Sequence, residues 1–177
     1  HFVNSINIGG FMPQDVAQQL SYSNHSISDT HFTYEHAGFA RGWLIDMLLG
    51  YDALNVHWAT YLLSLAELDA ISRAGKPMFF TLHDFHYLSG GCHYPASCNG
   101  FEMGCYNCPQ VDRTKASPTQ IARNHAIKRE IFARPNVHLM APSHWLRDRA
   151  VNAGIIPSGR AHVLRNPYTP LHPPMLG

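Results

Sequence analysis

The chain has 177 residues, of which 45% are hydrophobic and 14% are charged, against about 25% charged residues in an ordinary soluble domain. Thirteen lysines and arginines nearly balance twelve aspartates and glutamates, so the formal charge is +1. These values exclude a disordered polyampholyte and a basic protein that coats nucleic acid, and we expect no nucleic-acid partner. No apolar run approaches the roughly 20 residues that span a bilayer. We expect a soluble, cytoplasmic protein.

Short apolar strands alternate with helices along the chain, a pattern typical of an α/β domain with a mostly parallel sheet. Five or six strands are predicted, and they cover residues 1–5, 31–34, 53–58, 78–82, 137–141 and 161–164. Helices are predicted over residues 15–20, 61–74, 118–133 and 145–153. Ser117 is a suitable N-cap for the third of these, and Gly75 and Gly154 are suitable ends for the second and fourth.

The length suits one compact core or one lobe of a larger enzyme. We expect residues 1–168 to form a single α/β domain and the proline-rich residues 169–177 to form an interdomain linker or tail. Residues 85–117 have neither helical nor strand periodicity. Compact domains rarely contain so long a loop unless it is functional or internally tied.

All four cysteines lie in this loop with the spacing C-x5-C-x6-C-x2-C, as Cys92, Cys98, Cys105 and Cys108. The last pair forms a Cys-x-x-Cys knuckle, and four thiolates suit tetrahedral zinc. Two disulfides, an iron–sulfur cluster or free thiols are the alternatives, and His86 and His93 lie near enough in the sequence to replace one cysteine. We expect structural zinc, because four thiolates leave no coordination position open for catalysis.

Two histidines follow predicted strands, at the end where ligands gather in open α/β sheets. His83 and Asp84 follow the strand over residues 78–82, and His57 with Trp58 ends the strand before it. The alternatives are a packing histidine at position 83, a turn cap at Asp84 and a core tryptophan. His83 is the candidate for chemistry, and Asp84 is the candidate to orient an imidazole or to contact a sugar hydroxyl.

Other strand ends carry weaker signals. Gly9 and Gly10 follow the first predicted strand, where a backbone without Cβ atoms can approach a phosphate or a sugar, although a plain turn fits as well. Ser143 either contacts a ligand or caps the next helix, and capping is favoured. The sequence has no Gly-x-Ser-x-Gly elbow, Walker loop or full Gly-x-Gly-x-x-Gly fingerprint, which argues against a hydrolase, an NTPase or a dehydrogenase.

In combination and in this order, several segments resemble motifs of glycosyltransferase family 4, specifically bacterial enzymes of polysaccharide assembly. They are the strand ending in His57-Trp58, the stretch from Lys76-Pro77 to Thr81-Leu82-His83-Asp84, Gly90-Gly91-Cys92-His93-Tyr94-Pro95 with the later cysteines, Ala141-Pro142-Ser143-His144-Trp145-Leu146, and Leu164-Arg165-Asn166-Pro167. The resemblance covers residues 52–167, and the ordered combination is far more specific than any single motif.

The resemblance implies the GT-B architecture, in which two Rossmann-like domains face each other across a cleft. The first domain binds the acceptor and the second binds a nucleotide-sugar donor. Transfer retains the anomeric configuration and usually needs no catalytic metal. This chain would be the first domain, and a glycan or lipid-linked acceptor would bring it into peripheral contact with the inner face of the membrane.

By the same resemblance, His83 matches a histidine that contacts the donor sugar near the reacting carbon, and we assign catalysis to His83 and Asp84. The glycine-rich loop that faces the cleft corresponds to Gly9 and Gly10. The candidate substrate-binding residues are Gly9, Gly10, His57, Gly90, Gly91 and Ser143.

The sequence departs from the family pattern in three places. It lacks the second domain, Phe11-Met12-Pro13 follows the glycines where small residues are usual, and Pro167 replaces a linker glycine. We therefore expect this chain alone to transfer no sugar. The alternative is a non-catalytic, zinc-stabilised module that binds a glycan or a protein.

Overall fold

The computed structural model describes residues 32–33, 42–60, 62–111 and 117–167. Within them lies one sheet of four parallel strands, β1 (Leu54–Val56), β2 (Met78–Thr81), β3 (Val137–Ala141) and β4 (Ala161–Val163), in the order β1-β2-β3-β4. The described part is therefore an α/β fold with an all-parallel sheet, as predicted, and is consistent with a Rossmann-like domain. The strand predicted over residues 1–5, the helix over 15–20 and the tail over 169–177 lie outside the described residues.

The strands follow the apolar runs of the sequence. Strand β3 has its predicted bounds, and the other three are shorter than predicted. The run over residues 53–58 pairs with β2 only over Leu54–Val56, and β2 ends at Thr81, one residue before the predicted end. Of the strand predicted over residues 31–34, Phe32 forms an isolated antiparallel bridge with Cys92. A strand therefore ends where pairing ends, even when the apolar run continues.

Four α-helices accompany the sheet: α1 (Gly42–Leu49), α2 (Leu65–Arg73), α3 (Pro118–Ala133) and α4 (His144–Asn152). Helix α2 was predicted to begin at residue 61 but begins at Leu65. The reason is a capping box, because the Ser64 hydroxyl accepts from the Glu67 N–H at 3.2 Å and the Glu67 carboxylate accepts from the Ser64 N–H at 2.6 Å. Helix α1 was not predicted.

Helix α3 begins at Pro118, as the sequence predicts, and α4 begins at His144, one residue before its predicted start. The Ser117 hydroxyl caps α3, with Pro118 as its first residue, and the Ser143 hydroxyl accepts from the Leu146 N–H at 3.2 Å at the start of α4. A glycine with positive φ, Gly154, follows α4. Side chains of α2 and α3 complete a core with the inner face of the sheet, and its fully buried members include Leu68, Phe80, Ile131, Phe132 and Leu139.

The cysteine-bearing loop contains no α-helix or strand in its described part, residues 85–111. Two single 3-10 turns interrupt it, at His86–Leu88 and Gly100–Glu102, and α3 packs on the first of them. Most residues from 85 to 93 are buried. The first part of the loop therefore belongs to the core beside the carboxyl end of β2, whereas most residues from 94 to 109 are exposed or half-buried. No helix in the described residues has the length and apolarity needed to cross a membrane.

Candidate functional site

Two imidazoles meet at the carboxyl edge of the sheet. His57 follows β1 and His83 follows β2, and because these strands are parallel neighbours, the two side chains leave the sheet at the same edge. Nδ1 of His57 lies 3.0 Å from Nε2 of His83, and the rings stack with their centroids 5.3 Å apart. Both side chains are exposed. The edge therefore presents an accessible imidazole pair.

A chain of hydrogen bonds fixes which ring nitrogens carry protons. The Thr81 hydroxyl donates to Oδ1 of Asn55 at 2.9 Å, and Nδ2 of Asn55 lies 3.2 Å from Nε2 of His57. Because an amide NH2 can only donate, His57 Nε2 accepts, and its proton lies on Nδ1. His57 then donates to Nε2 of His83, which leaves Nδ1 as the donor nitrogen of neutral His83.

The pair resists taking up a second proton. Burial lowers the pKa of His57, and the neighbouring charge of His83 lowers it further. Protonating both rings would also direct two N–H groups at each other across the 3.0 Å contact. Positive charge on both rings at once is therefore unfavourable.

Asp84 follows His83 in the sequence, and its carboxylate has two hydrogen-bond partners. Its Oδ1 accepts from the His86 N–H at 2.7 Å, and its Oδ2 lies 2.6 Å from Nδ1 of His93. Burial alone would raise the pKa of Asp84, but the hydrogen bonds from His93 and from the His86 amide lower it below its usual value. Asp84 is thus a turn cap, one of the predicted alternatives, and the ring that it orients is His93.

A small pocket opens at this edge. Its lining residues are His57, Trp58, Thr81, His83, Asp84, His86, Tyr87 and His93. The rings of His86 and His93 stack at 4.7 Å, and Trp58 packs on His93 at 5.4 Å while remaining 56% exposed. The pocket therefore combines imidazoles, one carboxylate and an accessible indole, groups suited to a polyhydroxylated ligand with an apolar face.

The other predicted binding residues lie elsewhere or outside the described residues. Gly90 and Gly91 are buried and do not line the pocket. The Gly90 N–H donates to Sγ of Cys105 at 3.2 Å, and Gly91 packs against the backbone of Thr33. Ser143 caps α4. Gly9 and Gly10 lie outside the described residues, so their proposed role stays a prediction.

The four cysteines are free thiols, with Cys92 and Cys105 buried and Cys98 and Cys108 half-buried. Burial raises the pKa of Cys92 to about 12 and that of Cys105 to about 11. Among the described residues, no group of three or more His, Cys, Asp or Glu side chains could hold a metal ion as these side chains stand.

Three residues of this region were not singled out from the sequence. Asn55 could have been found, because side chains two apart on a strand share a face and Asn55 lies two residues before His57. The hydroxyl of Thr33, 2.9 Å from Nε2 of His93, comes from a segment 60 residues away. Lys128 is a buried lysine that reaches the loop from α3, and burial lowers its pKa to about 7. No local pattern marks the last two, because both depend on tertiary contacts.

Fold and site together define an α/β domain with a polar, imidazole-bearing ligand edge at the carboxyl ends of its strands. Over 129 residues the chain is 27% identical to the "Putative colanic acid biosynthesis glycosyl transferase WcaC" of Escherichia coli (strain K12). The similarity covers 68% of this chain and 31% of that protein, so the chain matches about a third of its relative's length. No protein-family model matches the chain, and no solved structure matches it.

Proposed function

We propose that this chain is the N-terminal, acceptor-binding part of a retaining GT-B glycosyltransferase of family 4. The enzyme moves a sugar from a nucleotide-sugar donor to a glycan or lipid-linked acceptor in bacterial polysaccharide synthesis. The proposal rests above all on the exposed His57–His83 pair at the carboxyl edge of a parallel sheet, in a chain similar to a putative glycosyl transferase.

The reaction calls for the kind of group that this edge offers. A glycosyl group in transfer develops oxocarbenium character while its diphosphate leaving group gains negative charge, so oriented hydrogen bonds matter more than a strong base. His57 fixes the ring of His83 through a 3.0 Å contact. His83 therefore presents a preorganised imidazole near the reacting carbon, and Asp84, held ionised by its hydrogen bonds, favours positive charge beside it. The proposal includes no catalytic metal ion.

The acceptor has a matching surface. Trp58 is 56% exposed at the pocket, and an accessible indole can stack on the apolar face of a sugar ring. The donor is bound by a part of the protein beyond this chain, since the relative is about three times as long as the matched region. Nucleotide-sugars and lipid-linked acceptors meet at the cytoplasmic face of the membrane, where we place the enzyme.

The test compares histidine variants of the protein at its full natural length. Nucleoside diphosphate release is followed with nucleotide-sugars and a bacterial glycan or lipid-linked acceptor. We expect His83→Ala to lower kcat by about 100-fold, without a change in Tm. His162→Ala is the control, because His162 is an exposed histidine on β4 and is not among the residues that line the pocket.

Three outcomes contradict the proposal. Turnover by His83→Ala equal to that of the unaltered protein removes the assigned role of the imidazole. Glycan binding by the full-length protein without any sugar transfer favours the non-catalytic binding module instead. The 177-residue chain alone is expected to release no nucleoside diphosphate, and turnover by it would refute the division into donor and acceptor parts.

A further inference from the structure

The four thiols form a cluster in the loop that packs on α3. The sulfurs lie close enough for a charge on one to act on its neighbours. Cys92 has Cys105 and Cys108 as such neighbours. Cys98 is a neighbour of the same two sulfurs. Cys105 has a backbone φ of 59°, which lies in the left-handed region that non-glycine residues rarely adopt. The loop therefore departs from relaxed backbone geometry at one of its clustered thiols.

Backbone amides of this loop are directed at the sulfurs. The Gly90 N–H donates to Sγ of Cys105 at 3.2 Å, and the Gly100 N–H donates to Sγ of Cys98 at 3.3 Å. A neutral thiol is only a weak acceptor, whereas a thiolate is stabilised by donors of this kind, which surround the ligands of metal sites. The arrangement is therefore suited to negative sulfur.

Cys108 shows the same feature within its knuckle. The backbone N–H groups of Gln110 and Val111, two and three residues further on, both hydrogen-bond to its sulfur. A chain that turns back on a cysteine in this way directs successive amides at one sulfur. Three of the four sulfurs thus receive backbone donors.

A buried lysine lies next to the cluster. Lys128 is 2% exposed, and its ammonium donates to the carbonyls of His86 at 2.5 Å and Ser89 at 2.9 Å. In the described part of the chain, no carboxylate forms an ion pair with it, and the groups whose negative charge would act on it are the sulfurs of Cys92 and Cys105 and the carboxylate of Asp84. Because buried charges are costly unless they are compensated, negative charge on these sulfurs would compensate a charge on the Lys128 amine.

We propose that Cys92, Cys98, Cys105 and Cys108 bind one zinc ion. Four thiolates around Zn²⁺ carry a net charge of about −2, which the amides and Lys128 would offset. The side chains as they stand do not form a metal site, so the sulfurs are expected to rotate inward when the ion binds. Four thiolates close the coordination sphere, and the ion would tie a loop that has no strand or α-helix of its own among residues 85–111.

Elemental analysis of the purified 177-residue chain tests the proposal without any assay of sugar transfer. We expect about one zinc per chain and no iron. Cys108→Ser is expected to retain less than about a tenth of that zinc. Met103→Ser is the matched control, because Met103 lies in the same loop, is 76% exposed and carries no thiol, and it should keep its zinc.

A second measurement keeps the test decisive if Cys108→Ser does not fold. Cobalt(II) is exchanged into the unaltered chain, and tetrahedral thiolate ligation is expected to give intense visible absorption that added zinc abolishes. Three results would overturn the proposal: no metal in either the purified or the zinc-reconstituted chain, iron in place of zinc, or a mass lower than that of the reduced chain by the hydrogens lost in two disulfides.

Discussion

Nδ1 of His57 and Nε2 of His83 lie 3.0 Å apart, although 26 residues separate them in the sequence. Their contact depends on the parallel pairing of β1 with β2, which brings the two strand ends together. It also depends on the hydrogen-bond chain from Thr81 through Asn55, which determines that His57 is the donor. The backbone brings the rings together, and these polar side chains fix the positions of the protons.

Thr81→Val is expected to disturb this proton arrangement without disturbing the fold. Valine has nearly the shape of threonine but cannot donate to Asn55, so the amide is free to turn its oxygen toward His57. Nitrogen-15 NMR of the imidazoles should show one tautomer of His57 in the unaltered chain and a mixture in the variant. In the full-length protein we expect kcat to fall about 10-fold.

Thr81→Ser is the matched control, because serine retains the hydroxyl at the same place. It should keep the single tautomer and most of the turnover. An unchanged imidazole spectrum in Thr81→Val would show that the hydrogen-bond chain does not control His57.

Gly90 marks a close approach between the cysteine loop and α3. A Cβ at this position would lie 2.5 Å from Cγ2 of Ile121 and 2.6 Å from its carbonyl oxygen. The contact includes helix backbone, so it cannot be relieved by rotating a side chain. We expect Gly90→Ala to lower the free energy of unfolding by about 2 kcal/mol or more, measured by urea denaturation.

Gly42→Ala is the control for this substitution. Gly42 is the first residue of α1, and an added Cβ would have no heavy atom within 4 Å. Alanine is also a better helix former than glycine, so stability should be unchanged or slightly higher. Equal effects of the two substitutions would contradict the close packing at Gly90.

Much of the fold could be predicted because its signals are local. Gly75 lies just after the end of α2 and before the apolar run of β2. Ser117 with Pro118 predicts the start of α3. The site was predictable only in part. The meeting of His57 and His83 at one edge could be predicted, because each histidine follows a predicted strand of a parallel sheet.

The partners that fix these rings were harder to predict from the sequence. Asp84 was expected to orient an imidazole, but only the folding of the loop determines that the ring is His93 rather than His83. Gly90 and Gly91 were expected at the ligand, and the loop instead packs them against α3 and Thr33. Such contacts join segments far apart in sequence, so spacing does not predict them.

Two lysines differ in burial but have the same kind of partners. Lys128 is fully buried and donates to two carbonyls, those of His86 and Ser89. Lys76 is half-buried and donates to the carbonyls of Leu49 and Tyr51, at 2.8 Å for the latter. Removing the ammonium leaves both carbonyls of each pair without that donor, and only near Lys76 can water readily replace it.

We therefore expect Lys128→Met to lower the free energy of unfolding by about 3 kcal/mol. Lys76→Met should cost about 1 kcal/mol. Chemical denaturation of the two variants beside the unaltered chain provides the measurement. A smaller loss for Lys128→Met than for Lys76→Met would contradict a supporting role of the buried ammonium.

His125 on α3 should make stability depend on pH. Burial lowers its pKa to about 4 from a usual 6.5, and the charges of Arg129 and Lys128 act in the same direction, against hydrogen bonds with the backbone of Phe101 and Leu88. The unfolded chain thus takes up a proton near pH 6.5, whereas the folded chain does so only near pH 4. The free energy of unfolding should be constant above pH 6.5 with respect to this group and should fall between pH 6.5 and 4.

The size of this contribution follows from the shift in pKa and is about 3 kcal/mol. Because carboxylates also titrate in this range, the informative quantity is the difference between the unaltered chain and His125→Asn, measured by denaturation from pH 7.5 to pH 4. The variant should be less stable at pH 7.5 but lose less stability on acidification. His144→Asn, at an exposed position on α4, controls for loss of a histidine as such. Parallel pH curves for the unaltered chain and His125→Asn would show that the buried imidazole is not held neutral by the fold.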